Sequence, residues 1–218
     1  MISYQSIVSA FATTGLAVRG GFVPASADGL PGVRSVVLIG NAGLSMWPAF
    51  AAGRRDEPDP LDHWTKRVVD PIAADLGATA VHPNDKPFHP FQRWAQRAEP
   101  VHPSPLGILI HPVFGLWHAY RAALLFAEAV DGLLERTNSP SPCDSCVEKP
   151  CLTACPVSAF NGKVYNVVAC AGHLRSGGPP DCPSLGCRAR DACPVAPQHR
   201  YMDEQIGFHM AAFVRSRG

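Results

Sequence analysis

Apolar residues before residue 138 recur with both helical and strand-like spacing. The segment "SYQSIVSAFATTG" places Ile7 and Phe11 four residues apart and ends at Gly15, which predicts a short amphipathic helix. The segment "VRSVVLIG" at 33–40 is rich in β-branched residues and predicts a buried strand. Helices that alternate with strands in this way indicate a layered sheet.

Four further segments extend this pattern. "DPLDHWTKRVVDPIAADLG" has helical spacing and predicts a helix that is kinked or broken near Pro71. "FQRWAQRA" at 91–98 predicts a short helix, and "LGILI" at 106–110 predicts a strand. "GLWHAYRAALLFAEAV" at 115–130 leaves two interpretations open, because its periodicity favours a helix while its short apolar run also fits a strand.

The cysteines divide the chain. Residues 1–142 contain none, and residues 143–193 contain all eight. The polar, proline-containing segment "RTNSPSP" at 136–142 is typical of a linker. We therefore expect an α/β domain over 1–138 and a second, loop-rich domain over 139–218.

The cysteine spacing is C-x2-C-x4-C-x3-C-P, followed by C-x11-C-x4-C-x5-C-P. Closely spaced thiolates can wrap an iron–sulfur cubane, and the remote cysteine before proline binds the other cluster in two-cluster ferredoxins. The spacing thus predicts two [4Fe–4S] clusters with crossed ligation. One set of ligands is Cys143, Cys146, Cys151 and Cys193, and the other is Cys155, Cys170, Cys182 and Cys187.

Other interpretations of the thiols stay open. Four residues separate Cys146 from Cys151, where the bacterial ferredoxin motif has two, and the second half is looser still. A single cluster, structural zinc on the C-x2-C unit, or disulfides are the alternatives. His173, three residues after Cys170, is either a ligand or an ordinary histidine near the site.

Composition narrows the class of protein. The chain has 218 residues, of which 46% are hydrophobic and 17% charged, with a net charge of +1. This balance gives no evidence for nucleic acid or an anionic membrane as a partner. The first twenty residues show no secretory signal pattern and no apolar run is long enough to cross a bilayer, so we expect a cytoplasmic protein without membrane segments.

The segment "CDSCVEKPCLTACPVSAF" resembles the cluster region of epoxyqueuosine reductases and their ferredoxin-like relatives. Upstream, "LPGVRSVVLIG" is similar to an early strand of that family, and "SPLGILIHPVFGLWHAYRAALLF" is similar to the segment before its cysteines. The resemblance implies an α+β fold, in which a nitroreductase-like α/β domain precedes a ferredoxin-like two-cluster module. It also implies that 117–128 is a strand.

The resemblance further implies a cofactor and its site. Epoxyqueuosine reductases hold cobalamin beside their clusters and use an aspartate as proton donor, and "NDKPFHPFQRWAQRA" lies where that region falls, so Asp85 is the matching acid. His111 and Trp117 are candidates to line the cofactor pocket, with FMN as the alternative to cobalamin. The family's "GLGWIGKH" loop is replaced here by "EPVHPSPLGILIHP", so its tRNA reaction is not assigned. Asp85 also fits a plain turn residue after Pro83-Asn84.

Several conspicuous residues have simpler interpretations. Four His-Pro pairs, the last of them His111-Pro112, fit turns in a proline-rich chain as well as a cofactor pocket. Trp94, Trp117 and Tyr120 fit core or interface positions. "GNAG" at 40–43 lacks the phosphate-loop signatures and is interpreted as a turn.

Two functions follow from the sequence. The first is a reductase that takes electrons from a donor protein and passes them through its clusters to a cofactor and a small-molecule substrate. The second is a ferredoxin-like carrier or corrinoid-handling protein that serves a separate enzyme. The size of the first domain favours the reductase, because a carrier needs little beyond the cysteine module.

Overall fold

The computed structural model describes residues 2–133 and 136–217 of the chain. These residues form two compact units. The first, here the sheet unit, comprises the residues up to Pro100 together with His118–Asn138. The second, here the cysteine unit, comprises Val101–Trp117 together with the residues from Ser139 onward.

The sheet unit is built on a four-stranded antiparallel sheet in the order β1-β2-β6-β3. Its strands are β1 (Ala17–Phe22), β2 (Ser35–Ala42), β3 (Thr79–Val81) and β6 (His118–Phe126). The pair β2–β6 runs from Ser35 opposite Phe126 to Ala42 opposite His118, with a bulge after Ile39. A Cβ on Gly40 would collide with the Ala119 carbonyl oxygen, which explains glycine at that bulge.

Strand β2 forms the centre of the core. Val36, Val37, Leu38 and Ile39 are all fully buried, so both faces of the strand are covered. A strand that is buried on both faces has consecutive apolar residues in its sequence instead of alternating ones, and this segment shows that pattern. The predicted strand is therefore confirmed. It also continues through Gly40 and Asn41, into the segment "GNAG" for which the sequence analysis predicted a turn.

Four helices complete the sheet unit: α1 (Tyr4–Phe11), α2 (Trp47–Gly53), α3 (Pro60–Asp75) and α4 (Phe91–Ala98). Helix α1 begins with a capping box between Ser3 and Ser6 and buries Ile7 and Phe11, as its apolar spacing predicts. Helix α4 has the predicted bounds. Helix α3 continues through Pro71 to Asp75, so it is not broken there, and the kink stays a prediction.

The cysteine unit has little regular structure. Strands β4 (His102–Pro103) and β5 (Leu109–Ile110) pair with each other, so the strand predicted over 106–110 is only two residues long. Gly107, with φ of +75°, lies in the turn that precedes it. Four helices follow: α5 (Val167–Ser176), α6 (Cys182–Leu185), α7 (Arg188–Asp191) and α8 (Asp203–Arg215).

A single division near residue 138 does not describe this arrangement. Residues 101–117 belong to the cysteine unit, because Leu106, Ile110 and Leu116 are buried in the same core as Cys151 and Cys193. A second boundary between the units falls between Asn138 and Ser139. The α+β class is confirmed. No helix in the described part of the chain is both long and apolar enough to cross a membrane.

Candidate metal centre

Four thiols from the first cysteine run and the end of the second act on one another electrostatically. Cys151 lies in a short 3₁₀ helix, Pro150–Leu152, and Cys193 follows Ala192, the residue that caps the end of α7. Burial raises the pKa of the Cys143 thiol, and the neighbouring thiols of Cys193, Cys151 and Cys146 raise this pKa further. Burial likewise raises the pKa of Cys151, again with Cys193 and Cys146 as contributors. These four residues therefore form one group, here the first thiol group.

The other four cysteines form a second thiol group. Cys170 lies in α5, Cys182 begins α6, Cys187 directly precedes α7, and Cys155 ends the first cysteine run. Burial raises the pKa of Cys182 and of Cys187, and the thiols of Cys155 and Cys170 raise both pKa values further. The crossed assignment of these cysteines to two clusters stays a prediction.

Backbone N–H groups point at several of the sulfurs. The Ala159 N–H donates to Cys155 Sγ at 3.3 Å. Backbone hydrogen bonds from Arg190 and Ala189 lower the pKa of Cys187, against the larger effect of burial. A similar bond from Val195 acts on Cys193. Such donors favour the thiolate form, which is the form that binds metals and clusters.

Both thiol groups lie against an apolar core. Its buried members include Leu106, Ile110, Leu116 and Phe160, and partly buried cysteines pack around them. Gly115, with φ of +56°, lies so close to the Val195 carbonyl that a Cβ there would collide with it. The 101–117 segment therefore packs against the residues that follow Cys193.

All eight thiols are free, so no disulfide links them in this structure. Among residues 2–133 and 136–217, no group of three or more His, Cys, Asp or Glu side chains is arranged to hold a metal ion. His173 lies in α5, one turn after Cys170.

The side chain of His111 forms hydrogen bonds within the turn that follows β5. It is buried, and its Nδ1 accepts hydrogen bonds from the backbone N–H groups of Val113 and Phe114 at 2.9 and 3.3 Å. Its own backbone pairs with Gly115 in both directions at 2.8 Å. Because Nδ1 is an acceptor, the proton of the neutral ring is on Nε2. The geometry supports the turn interpretation of this His-Pro pair.

Trp117 lies in a small cavity of the cysteine unit. Its ring contacts Tyr201 edge-on at 5.4 Å, and the Arg190 guanidinium is stacked 4.3 Å from its centroid. Arg190 also donates to the Leu116 carbonyl at 2.5 Å. A small cavity of about 40 Å³ is lined by Trp117, Arg190, Tyr201 and also Cys187. Trp117 thus packs in a cation–π stack beside a cysteine of the second thiol group.

Asp85 lies in the sheet unit, whereas His111 and Trp117 lie in the cysteine unit. Asp85 accepts a hydrogen bond from Lys66 Nζ and one from the His82 backbone N–H, each at 2.7 Å. Burial alone would raise the pKa of this carboxyl, but the two bonds outweigh burial and the pKa is lowered. The side chain closes the turn at 82–85, which supports the turn interpretation. The proton-donor role stays a prediction.

Solved proteins share this architecture. A selenomethionine-labelled epoxyqueuosine reductase superposes with a TM-score of 0.51 at 15% identity, over 81% of this chain and 52% of that one. The enzyme from Streptococcus thermophilus superposes with a TM-score of 0.51 at 13% identity, over 88% of this chain and 65% of that one. The chain has the fold of the epoxyqueuosine reductases.

The resemblance inferred from the cysteine motif is thereby confirmed for the fold. The chain spans about half the length of the first epoxyqueuosine reductase structure, at 52%. No protein-family model matches the sequence, and no curated protein matches it. At identities this low the likeness to epoxyqueuosine reductases describes the fold and leaves the reaction to be argued from the residues.

The sequence did not single out a buried polar network in the sheet unit of this epoxyqueuosine reductase fold. Arg19, on β1, is 2% exposed and forms a two-point ion pair with Glu99 at 3.0 and 2.9 Å. The Tyr120 hydroxyl donates to Glu99 Oε2 at 2.6 Å, and burial followed by the Glu99 charge raises the pKa of Tyr120. An arginine within the strand "AVRGGF" was the available signal.

Proposed function

We propose that this chain is an iron–sulfur reductase, in which each thiol group holds one [4Fe–4S] cluster. The observation that carries the proposal is the division of eight cysteines into two groups of four whose thiols perturb one another. Four thiolates are the full ligand set of one [4Fe–4S] cluster. The fold of the epoxyqueuosine reductases supports the same interpretation.

The residues fit such clusters in their chemistry. Most of the cysteines pack in or against an apolar core, and some sulfurs receive backbone N–H donors, which are features that stabilise cluster thiolates and set their potential. When bound, the clusters supply one-electron transfer. Burial raises the pKa of Cys143, Cys151, Cys182, Cys187 and Cys193, so these free thiols are protonated near neutral pH and release protons when a cluster binds.

Structural zinc is the rival for the same donors, since a zinc ion also takes four thiolates. Acid-labile sulfide separates the two, because only a cluster contains it. Protein purified without oxygen should contain about eight irons and about eight sulfides per chain. Stoichiometric zinc without sulfide would contradict the proposal.

The proposed electron acceptor is a cobalamin held by the chain, with FMN as the alternative. The proposal rests on the epoxyqueuosine reductase fold and on the sheet unit, which is more than an electron-carrying cysteine unit requires. The proposed site residues are Asp85 as the proton donor, and His111 and Trp117 as residues that line the cofactor pocket. In this structure His111 Nδ1 accepts a hydrogen bond from the Val113 backbone N–H, while the Asp85 carboxylate accepts one from Lys66.

A donor protein is proposed to reduce the clusters, and a small molecule or bound cofactor is proposed to receive the electrons. The test is a titration of cluster-replete protein with cob(II)alamin and, separately, with FMN, followed by absorbance and calorimetry. Micromolar binding of either compound supports the reductase. If neither binds while the reduced protein passes electrons to a separate acceptor protein, the chain is a carrier.

A further inference from the structure

Gln205 is the most completely buried polar side chain of the cysteine unit. It is 0% exposed, in the first turn of α8. Neither atom of its amide group, Nε2 or Oε1, has a hydrogen-bond partner among the residues that the structure describes. An unmet buried polar group costs about 1–3 kcal/mol, and such groups in folded proteins nearly always have partners. The amide therefore indicates a partner that is not a protein group.

The position of Gln205 indicates what that partner is. Helix α8 packs on α6 and on α5, which carry Cys182 and Cys170 of the second thiol group. The neighbouring Ile206 fits against Gly186, so closely that a Cβ on this glycine would lie 2.6 Å from Ile206 Cγ2. Gly186 directly precedes Cys187. The first turn of α8 thus lies against the segment that joins two ligands of the proposed second cluster.

The chemistry of the amide matches a cluster. Nε2 of glutamine carries two N–H donors, and the sulfides and thiolates of a [4Fe–4S] cluster are anionic acceptors. We propose that Gln205 donates a hydrogen bond to a sulfur of the cluster held by the second thiol group and raises the reduction potential of that cluster. The potential rises because the hydrogen bond stabilises the reduced cluster, which is the more negative form. This inference rests on the proposed function.

The experiment uses the full chain with both clusters assembled, and measures their midpoint potentials by EPR-monitored redox titration. Gln205→Leu and Gln205→Met each remove the donors while keeping a side chain of similar size in the helix. Both variants should lower the potential of the second cluster and leave that of the first unchanged. They should also lose one exchangeable-proton coupling in the ENDOR spectrum of the second cluster, a signal that packing alone does not supply.

Gln198→Leu is the matched control, because Gln198 is exposed in the same unit and undergoes the same change. It should leave both potentials unchanged. The inference is overturned if the Gln205 variants keep the potential and the proton coupling, or if they shift both clusters equally. It is also overturned if Gln198→Leu gives the same shift. A preparation without iron and sulfide would instead contradict the proposed function, so the two failures are distinguishable.

Discussion

In the sheet unit the central strand β2 buries four consecutive apolar residues, whereas three of the buried side chains in the cysteine unit are thiols. Cys151, Cys182 and Cys193 lie at or below 9% exposure there, and the helices around them are short. Apolar burial contributes about 25 cal/mol per Å² without any ligand. Buried thiols contribute fully only when something binds them. We therefore expect the cysteine unit to depend on bound clusters for its stability more than the sheet unit does.

Cluster removal should have the largest effect. Iron chelation under oxidising conditions should expose the amides of α5–α8 to hydrogen exchange, while β2 amides keep their protection. The reason is that metal binding supplies folding free energy, on the order of 10 kcal/mol in small zinc domains. Leu38→Ala is the complementary variant. Its cavity in the sheet core should lower the free energy of unfolding of the sheet unit by about 3 kcal/mol and leave the clusters intact. Equal loss of protection in both units after chelation would contradict the expected difference between them.

The crossed assignment divides the cysteine unit itself. Cys193→Ala should remove the cluster of the first thiol group, and Cys187→Ala should remove that of the second. Each variant should lose about half of the iron, and the two should lose different EPR signals. If both variants lose the same signal, the two cysteines bind one cluster and the assignment is wrong.

Arg19 tests whether the sheet unit depends on apolar burial alone. Arg19→Met should lower the free energy of unfolding by about 3–5 kcal/mol, because it leaves Glu99 charged and buried without its partner. Urea denaturation followed by far-UV circular dichroism measures the change. The exposed Arg93→Met is the control and should stay within about 0.5 kcal/mol of the natural protein. A small effect of Arg19→Met would show that the ion pair contributes little.

Asp85 should give the smallest effect, with a defined pH dependence. Its pKa is lowered in the folded protein, so it contributes stability above the pKa of an unfolded aspartate, about 3.9, and loses it as the pH falls through the lower folded value. Asp85→Asn should therefore cost about 1 kcal/mol at pH 7 and less near pH 3. The exposed Asp75→Asn is the control. A cost for Asp85→Asn that stays the same at both pH values would disprove the linkage.

Local patterns predicted the elements whose burial is local and simple. The helix at 91–98 matches its sequence pattern because one face, with Trp94 and Ala95, is buried and the other is exposed. Strand β6 could not be decided from the residues, because it lies between β2 and β3 and carries alanines and leucines that also suit a helix. Only the family resemblance indicated a strand there.

Other features depend on contacts that no local pattern encodes. The crossed assignment of the thiols follows from a spacing rule, and it stays a prediction. The assignment of 101–117 to the cysteine unit depends on a core that Leu106, Ile110 and Leu116 share with residues from Cys143 onward, far along the chain. Gln205 gave no signal in the sequence because a single glutamine in an amphipathic helix is ordinary.

The interruption of the sheet unit by residues 101–117 has a consequence for how such a protein can be rearranged. A gene cut at residue 138 would separate the apolar side chains of 101–117 from the core to which they belong, and would leave the cysteine unit without part of its packing. During synthesis β6, which pairs with both β2 and β3, emerges only after this segment. A single recombination point in the gene therefore cannot exchange one complete unit, so the two units are expected to be inherited together.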